Sequence, residues 1–482
     1  MTMPNIDTTV HAEVYIDGRW VGADQKINVT SPADETVVGT LAWGSAADAS
    51  RAADAAAAAF PGWAATTGRQ RADLLLTGAA LLEERATTIG ELMARETGKR
   101  RPEARAEIAF SGEYFRWFAE QARRPVGEVI AQENPAVRHL TVRRPVGVVA
   151  SLTPWNFPCS IQARKLAPAL AAGCTVVARV SEKAPLAVTE MIRCFTDAGL
   201  PAGVLNLVHG PAREQTQALL AHRAVRAVTF TGSTKVGGEI MASAAQRIVR
   251  PLLELGGDAP FVVCADADID AAVEGGMLAK FRNAGQSCLA ANRFFVHSSV
   301  YDEFTGKLAA RIDSMTVGDG MADPTPDLGP VIDNLRVKAV NGLIDAALTD
   351  GARKLTREFD LPTAGHWVAP TLLADVPATS PMARDEVFGP AATVFVFDDD
   401  TDVIARANAT EMGLAGYVWS RDIGRAWKLA EQLEVGIAGV NQALPSVAFA
   451  PMGGVKQSGL GREGADLGLE EFTDVKYLAL GL

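Results

Sequence analysis

PVGVVASLTPWNFPCSIQARKLAPALAAGCTVVARV, residues 145–180, alternates between short apolar runs and a longer segment with helical spacing. Its two ends, PVGVVASL and CTVVARV, are rich in β-branched residues and predict strands, and IQARKLAPALAAG between them predicts a helix. The rhythm continues through VLNLVHG, AVTFTG and RPLLELGG, with a helical segment before each. Buried strands that alternate with helices are typical of a doubly wound parallel sheet, which binds ligands at the carboxyl ends of its strands.

The rest of the chain predicts three further parts. A second alternation of apolar strands and helices, from roughly residue 257 to 441, predicts a second α/β unit. Near the start, EVYIDGRWV predicts a hairpin at Asp17-Gly18, and the alanine-rich helical segments that follow have a predicted N-cap at Ser45 and C-cap at Gly98. The closing EEFTDVKYLALGL predicts an apolar strand, which we expect another subunit to cover because an unpaired strand invites aggregation.

The composition argues against several classes of protein. The chain of 482 residues is long enough for two or three domains, and its net charge of −11 argues against nucleic acid or an anionic membrane as a partner. The first twenty residues contain no apolar core of a signal peptide. A long uncharged run, residues 145–163, contains three prolines and Asn156, which rules it out as a membrane span.

The five cysteines are scattered and form no CxxC pair. They are Cys159, Cys174, Cys194, Cys264 and Cys288. Neither a disulfide framework nor a metal site is expected from this pattern, and a reducing cytoplasm fits it. A lone cysteine is usually a small buried residue, so Cys288 in FRNAGQSCLAANR has two interpretations, a core residue or a nucleophile.

Three more places carry residue types suited to chemistry, each with an ordinary structural alternative. In VTFTGSTKVGGEI a strand ends at Thr231 and Gly232-Ser233 opens a helix, which points N–H groups at an anion such as phosphate or is simply a cap. Glu254 lies in an apolar run, where a raised pKa suits a general base; the alternative is a salt-bridged glutamate. Asn156, in the stiff loop TPWNFP, offers its amide to an oxyanion or forms a turn.

Six motifs occur in order along the chain: PWNFP, FTGSTKVG, ELGGDAP, GQSC, EVFGP and PMGGVKQSGLGREG. Together they resemble the NAD(P)-dependent aldehyde dehydrogenase superfamily over essentially the whole chain. The resemblance implies a doubly wound parallel-sheet NAD-binding domain in residues 1–122 and 144–256 and a second α/β catalytic domain in residues 257–456. It also implies a small β oligomerisation extension in residues 123–143 and 457–482, and hence a homodimer or homotetramer.

The resemblance implies a role for each catalytic candidate. Cys288 is expected to attack the carbonyl carbon of an aldehyde, and the oxyanion is expected to be held by the Asn156 amide and the Cys288 N–H. Once the hydride has gone to the nicotinamide, a thioester remains, and Glu254 is expected to activate the water that hydrolyses it to an acid. A thiolate is a strong nucleophile and its thioester is readily cleaved, so the chemistry agrees with these roles.

Coenzyme positions follow from the same resemblance. Gly232 and Ser233 are expected at the pyrophosphate, and Glu386 and Phe388 at the nicotinamide ribose and ring. The other expected coenzyme residues are Thr153, Pro154, Trp155, Gly210, Phe230, Gly237 and Leu255.

The preference between NAD and NADP depends on Arg179 and Glu182. This chain has Arg179-Val180 where the family usually has Lys-Pro, and Glu182 lies where a carboxylate accepts from the ribose 2′-hydroxyl. A 2′-phosphate would meet like charge there, so NAD is expected. NADP stays open because Arg179 could offset the repulsion.

FRNAGQSC, ARKLAPALAAGCTVV and KYLALGL are most similar to the succinate-semialdehyde dehydrogenase branch. This resemblance implies that Arg164, Arg282 and Ser446 hold the distal carboxylate of the substrate, for which forked guanidiniums are well suited. The structural alternative is that Arg164 is a charge on a helix surface and that Arg282 pairs with a structural acid.

Several departures from the family pattern leave the substrate open. Met452 stands where the family commonly has Phe, and Gln442 and Pro445 alter the loop that carries Ser446. An aromatic or aliphatic aldehyde is the alternative substrate, in which case the two arginines would not face the pocket. A CoA-acylating enzyme is disfavoured because hydrolysis needs a base and Glu254 is present. From a different class, the alternative is a non-catalytic binding protein with this fold.

Overall fold

The computed structural model describes residues 10–124 and 127–482. In these ranges the helices are α1 Ala46–Ala64, α2 Gly68–Glu84, α3 Ala86–Thr97, α4 Arg101–Gln121, α5 Pro158–Ala172, α6 Leu186–Asp197, α7 Ala212–Ala221, α8 Thr234–Ala245, α9 Ile269–Phe281, α10 Tyr301–Asp313, α11 Asn334–Thr349, α12 Asp400–Asn408, α13 Ile423–Gln432 and α14 Ala465–Glu470.

The strands of the described ranges are β1 Val10–Ala12, β2 Val14–Ile16, β3 Arg19–Val21, β4 Lys26–Thr30, β5 Val37–Ala42, β6 Val129–Ile130, β7 Val137–Pro145, β8 Val148–Leu152, β9 Thr175–Arg179, β10 Leu205–Val208, β11 Val225–Thr231, β12 Arg250–Glu254, β13 Ala259–Val263, β14 Ala291–His297, β15 Arg353–Lys354, β16 Thr371–Ala374, β17 Ala391–Phe397, β18 Ala415–Trp419, β19 Ile437–Val440, β20 Gly459–Leu460 and β21 Thr473–Gly481.

The first large sheet has the strand order β20-β12-β11-β8-β9-β10-β2-β3. Strands β12, β11, β8, β9 and β10 run parallel, and antiparallel strands extend the sheet at both edges. Every residue of β8, β9 and β10 is buried, as expected for strands covered by helices on both faces. The predicted doubly wound parallel sheet is confirmed, and its carboxyl ends carry the loops of most predicted coenzyme residues.

The second large sheet has the order β15-β16-β17-β14-β13-β18-β19, in which all strands but β15 are parallel. Its core contains packed aromatic rings, among them Phe261 and Phe294 with centroids 4.9 Å apart. This sheet confirms the second α/β unit that the sequence predicts.

Two helices of the first unit are capped by carboxylates from elsewhere in the chain. The N-cap residue of α5 makes no side-chain cap, and the carboxylate of Glu107 in α4 accepts hydrogen bonds from the N–H groups of Cys159 (3.1 Å) and Ser160 (3.2 Å) instead. Glu96 of α3 caps the start of α6 in the same way, because its carboxylate accepts hydrogen bonds from the N–H groups of Leu186 (2.8 Å) and Ala187 (2.9 Å). Buried helix ends need such partners, so α4 fixes where α5 begins and α3 fixes where α6 begins.

The N-terminal predictions hold in detail, with one difference. β2 and β3 form the hairpin at Asp17-Gly18, and Ser45 caps α1 in a capping box. Gly98 ends α3 with a φ of 73°. The helical segment that ends there is not continuous, however, because the backbone leaves the helix at Arg85, whose guanidinium pairs with Asp197 of α6 at 2.7 Å.

The last two strands of the chain, β20 and β21, belong to two different sheets. β21 pairs with β7 over nine residues, from Thr473 opposite Pro145 to Gly481 opposite Val137, in a sheet of order β21-β7-β6. The predicted terminal strand therefore has a partner in its own chain, and among the described strands its other edge is unpaired. β20 was predicted among the oligomerisation strands, but it pairs with β12 and so extends the first large sheet.

Candidate active site

A cavity of about 480 Å³ lies where the ends of β11 and β12 meet the turn before β14. Five of the predicted catalytic and substrate residues line it: Cys288, Glu254, Arg164, Arg282 and Ser446. Much of the remaining wall is apolar, with Phe110, Phe157, Leu278, Leu289 and Met452 among its residues. Residues from widely separated parts of the sequence thus meet at one cavity.

Cys288 reaches the cavity through a tight turn. Helix α9 ends at Phe281, and the next residues include Asn283 and Ala284, both with a φ of 53° in the left-handed region that side-chain-bearing residues seldom adopt. Cys288 is half-buried, and burial raises the pKa of its thiol to about 12, with the Glu386 carboxylate adding to the rise and Arg164 opposing it. The resting thiol is therefore protonated at neutral pH, so its attack on a carbonyl needs a proton acceptor.

Asn156 follows β8 and is buried beside this turn. Its side-chain amide donates a hydrogen bond to the Gln286 carbonyl at 3.1 Å. Its own backbone carbonyl accepts hydrogen bonds from the Lys99 ammonium at 3.0 Å and from the Asn283 side-chain amide at 2.8 Å. None of the six motifs includes Lys99, and its position directly after the Gly98 cap is the one sequence signal that places it at the start of a loop.

Glu254 ends β12 and is 2% exposed. Neither of its carboxylate oxygens has a hydrogen-bond partner among the described residues. Burial, reinforced by the Glu463 carboxylate, raises its pKa to about 8, and the cations of Lys165 and Arg164 oppose this rise. A buried carboxyl that titrates near neutral pH and lines the same cavity as Cys288 is suited to general-base catalysis.

The two predicted substrate arginines differ in their surroundings. Arg164 is buried, so it is not the helix-surface charge that the structural alternative assumed. Its guanidinium lies 3.6 Å from the Glu463 carboxylate and 5.3 Å from the centre of the Tyr114 ring, and its Nε atom has no partner among the described residues.

Arg282 is half-buried at the end of α9. Its guanidinium lies over the Phe157 ring, 5.1 Å from the ring centre. Within the described ranges, the structure contains no ion pair between Arg282 and an acidic residue. A guanidinium that lines a cavity and keeps its donors available can bind an anion there.

Two close contacts explain why glycines occupy positions 256 and 257 after Glu254. A Cβ at Gly256 would lie 2.9 Å from the Glu386 carboxylate, and a Cβ at Gly257 would lie 2.2 Å from the Cys288 carbonyl oxygen. The Gly257 N–H also donates to Glu386 at 3.0 Å. The motif ELGG therefore lets the strand that carries the buried base pass directly against the turn that carries the thiol.

Predicted coenzyme residues lie at the carboxyl ends of the parallel strands, as a doubly wound sheet requires. Beyond β8, the loop contains Thr153, Pro154 and Trp155. At the end of β9, the Arg179 guanidinium donates to the Glu182 carboxylate at 2.9 Å and to the Gly210 carbonyl at 3.0 Å. Arg179 thus joins the loops that follow β9 and β10.

The start of α8 has the geometry that the sequence predicts. β11 ends at Thr231, and Ser233 caps α8 by accepting from the Val236 N–H. A Cβ at Gly232 would lie 2.3 Å from the Phe230 ring, and one at Gly237 would lie 2.5 Å from the Leu255 side chain, so a larger residue at either position would have to displace that neighbour. A free helix start of this kind suits a phosphate group.

Glu386 and Phe388 complete this face of the site. The Phe388 ring meets the Trp155 ring edge to face, with centroids 5.7 Å apart, and both rings are half-buried. A helix start for phosphate, carboxylates for ribose hydroxyls and an aromatic wall for a flat ring form a donor set that fits a nicotinamide dinucleotide.

No helix of the described residues is long and apolar enough to cross a membrane.

Comparison with known proteins gives the family. Residues 20–478 match the model of the aldehyde dehydrogenase family. The chain is 42% identical to a glutarate-semialdehyde dehydrogenase from Pseudomonas aeruginosa over 97% of both chains. It is 41% identical to a succinate-semialdehyde dehydrogenase (NADP+) from Escherichia coli over 98% of both. A crystal structure of succinate-semialdehyde dehydrogenase from Burkholderia pseudomallei superposes with a TM-score of 0.96 at 40% identity over 100% of both chains.

These matches confirm the resemblance that the six sequence motifs carry, including its similarity to semialdehyde dehydrogenases. They extend over nearly the whole chain, so they include both large sheets and the cavity between them. The chain therefore belongs to the aldehyde dehydrogenase family and is an oxidoreductase that uses NAD(P) to convert an aldehyde to an acid.

Proposed function

We propose that the substrate is an aldehyde with a carboxylate at its far end, such as succinate or glutarate semialdehyde. The observation that carries this proposal is Arg282, a guanidinium that lines the cavity of Cys288 and makes no ion pair among the described residues. Arg164 and Ser446 line the same cavity and add hydrogen-bond donors to its wall. The names of the Pseudomonas and Escherichia relatives point in the same direction.

In the proposed reaction Cys288 supplies the nucleophile. Its sulfur bonds to the carbonyl carbon as the thiol proton is lost to bulk water, so this first step does not need Glu254. The oxyanion accepts hydrogen bonds from the Asn156 amide and the Cys288 N–H. NAD(P), which the start of α8 together with Glu386 and Phe388 would hold, would supply the acceptor for the hydride of the substrate carbon. Glu254 then takes a proton from water, the water oxygen bonds to the thioester carbon, and the C–S bond breaks to release the acid.

Steady-state kinetics with three aldehydes test the substrate proposal. Succinate semialdehyde, glutarate semialdehyde and benzaldehyde are compared for the native protein and for Arg282→Ala. The variant is expected to raise KM for the two semialdehydes by about 10- to 100-fold, the range for a charged hydrogen bond, and to change KM for benzaldehyde little. Benzaldehyde as the preferred substrate would contradict the proposal in favour of an aromatic aldehyde.

Arg357→Ala is the matched control. Arg357 also stacks on a phenylalanine, 3.9 Å from the centre of the Phe359 ring, but it does not line the cavity. Its removal is expected to leave the ratio of semialdehyde to benzaldehyde efficiency unchanged. Equal losses on all three aldehydes in Arg282→Ala would mean that Arg282 is structural.

We propose further that NAD is preferred to NADP. Glu182 places a carboxylate after β9, and the Arg179 guanidinium is already engaged by Glu182 and the Gly210 carbonyl. A 2′-phosphate close to Glu182 would therefore meet a negative charge. The native ratio of kcat/KM for the two coenzymes should favour NAD, and Glu182→Ala should shift it toward NADP. A native preference for NADP, the coenzyme in the name of the Escherichia coli relative, would contradict this proposal.

The assembly, the location and the domain boundaries are also proposals. We infer a homodimer or homotetramer because β21 has an open edge among the described strands and exposes Val475, Tyr477 and Leu480. Light scattering after size exclusion would contradict this inference if it found a monomer. A cytoplasmic location, which cell fractionation would test, is supported by five free cysteines.

The proposed boundaries are those implied by the motifs: residues 1–122 with 144–256 for NAD, 257–456 for catalysis, and 123–143 with 457–482 for assembly. Residues 1–9, 125 and 126 of these ranges lie outside the described residues. Limited proteolysis tests the division, since cuts concentrated within the ranges rather than between them would contradict it.

A further inference from the structure

Lys99 places a charged group in the interior next to the active site. Helix α3 ends at Gly98, whose φ of 73° turns the chain inward, and the Lys99 side chain that follows has no exposed surface. Its ammonium contacts the Glu107 carboxylate, donates to the Asn156 carbonyl at 3.0 Å, and lies 4.2 Å from the centre of the Phe157 ring. Two of these contacts are with the loop after β8, and the third is with Glu107 of α4, which caps the helix that follows that loop.

Glu107 extends these contacts to the start of α5. One carboxylate oxygen meets Lys99, and the other accepts the N–H groups of Cys159 and Ser160. Burial of an ammonium or a carboxylate is strongly unfavourable unless partners satisfy its charge and its hydrogen bonds. Here the partners are the backbone of residues 156–160, so the ion pair fixes that segment in position.

The Asn156 carbonyl links this ion pair to the nucleophile turn. It accepts from Lys99 on one side and from the side chain of Asn283, which lies in the turn before Cys288, on the other. The Asn156 side-chain amide is itself directed at the Gln286 carbonyl of the same turn. Loss of the Lys99 donor would leave the Asn156 carbonyl held by Asn283 alone, and the orientation of the amide would then depend only on its contacts with the nucleophile turn.

We propose that Lys99 is a positioning residue for Asn156, which it holds in the orientation where the amide can donate to the oxyanion formed at Cys288. This inference rests on the proposed role of Asn156. Lys99 itself does not line the cavity, so it acts through the Asn156 peptide and not on the substrate. The ordinary alternative is a buried ion pair that stabilises the fold and has no specific effect on the reaction.

A double-mutant cycle separates the two interpretations. Asn156→Ala is expected to lower kcat/KM by about 10²- to 10³-fold, the usual cost of one oxyanion donor. Lys99→Met, which keeps the length and apolar stem, is expected to lower it by about 10- to 100-fold, as a misplaced group does. In the Asn156→Ala background the same change should cost less than about twofold, because the amide it positions is already absent.

Alkylation of Cys288 by iodoacetamide provides a second readout. That reaction forms no oxyanion, so the alkylation rate should change less than about twofold in Lys99→Met while aldehyde oxidation falls. An equal fall in both would mean that the turn itself is damaged and would overturn the proposal. Full additivity of the effects of Lys99→Met and Asn156→Ala on kcat/KM would also overturn the proposal.

Lys280→Met is the matched control, because Lys280 is also completely buried. Its ammonium donates to Asn292 at 2.7 Å and to the Val387 carbonyl at 3.1 Å, neither of which contacts Asn156. The effect of Lys280→Met on kcat/KM should be the same with and without Asn156→Ala.

If Lys99→Met fails to fold, Lys99→Met/Glu107→Gln takes its place, because it leaves no uncompensated carboxylate in the interior. The same coupling is expected, and additivity would overturn the proposal. An Asn156→Ala variant with native activity would instead refute the proposed role of Asn156, so the two failures are distinguishable.

Discussion

The two ends of the cavity differ in how firmly their polar groups are held. At the reacting end, Asn156 is fixed by Lys99, Asn283 and Gln286, and Glu254 is enclosed next to the buried Glu463. At the far end, Arg282 lies on one aromatic ring, and the Ser446 hydroxyl contacts only the Met452 sulfur, at 3.5 Å, among the described residues. The proposed oxyanion donor is thus pre-positioned. Arg282 and Ser446 can adjust to a substrate, whereas Arg164, the third proposed carboxylate-binding residue, is buried beside Glu463.

The largest effect expected at the reacting end is that of Glu254→Gln. This change removes the base that activates water, so steady-state kcat should fall by about 10²-fold or more. A rapid burst of NADH equal to the number of sites should remain, because the thioester still forms. Stopped-flow absorbance at 340 nm measures both phases.

Glu103→Gln is the control for this prediction, since Glu103 lines the same cavity but is already paired with Arg100 at 2.9 Å. A variant Glu254→Gln that lost the burst together with the steady-state rate would show that the carboxyl is needed before the thioester forms. The assignment of Glu254 to thioester hydrolysis alone would then be wrong.

The pH dependence is expected to be the next largest effect. The pKa of Glu254 is raised to about 8, so at lower pH its carboxyl is mostly protonated and cannot accept a proton from water. The thioester-hydrolysis rate should therefore rise about tenfold per pH unit up to pH 7 and level off above pH 8, as for any single base. Single-turnover release of the acid across pH 5–9 measures this. A plateau that begins near pH 5 would mean that the carboxyl is not buried during catalysis.

Ser446→Ala is expected to have the smallest effect, at the far end. Its hydroxyl is a neutral donor with a single weak contact, so KM for succinate semialdehyde should rise by about two- to tenfold, the range for one neutral hydrogen bond. The KM of benzaldehyde serves as the internal control. An effect on kcat as large as that of Glu254→Gln would remove the distinction between the two ends.

The fold could be predicted because its signals are local. β8 to β12 coincide with the apolar runs that the sequence marks, and Ser45, Gly98 and Ser233 cap helices where their residue types favour caps. The positive φ of Ala284 could not be predicted, because its conformation is imposed by packing and not by its own preference.

Short motifs are enough to identify candidate site residues, whereas contacts between residues far apart in the sequence cannot be predicted from them. Cys288, Glu254 and the two arginines were identified from short motifs, and the cavity joins them. The burial of Arg164 depends on Glu463, which also pairs with Lys165, 298 residues earlier in the chain. Lys99 contacts Asn156 across 57 residues for the same reason. No local sequence pattern predicts which distant carboxylate or carbonyl group a lysine side chain will contact.

The pairing of the chain's end with both the first large sheet and β7 has a consequence for biosynthesis. Arg143 and Thr473, which meet in the small sheet, are separated by 330 residues, and β20 closes the sheet edge directly beside Glu254. A ribosome must therefore extend the polypeptide far beyond Glu254 before the strand that carries the base acquires this neighbour. Cys288 is thus synthesised well before the sheet beside Glu254 can be completed.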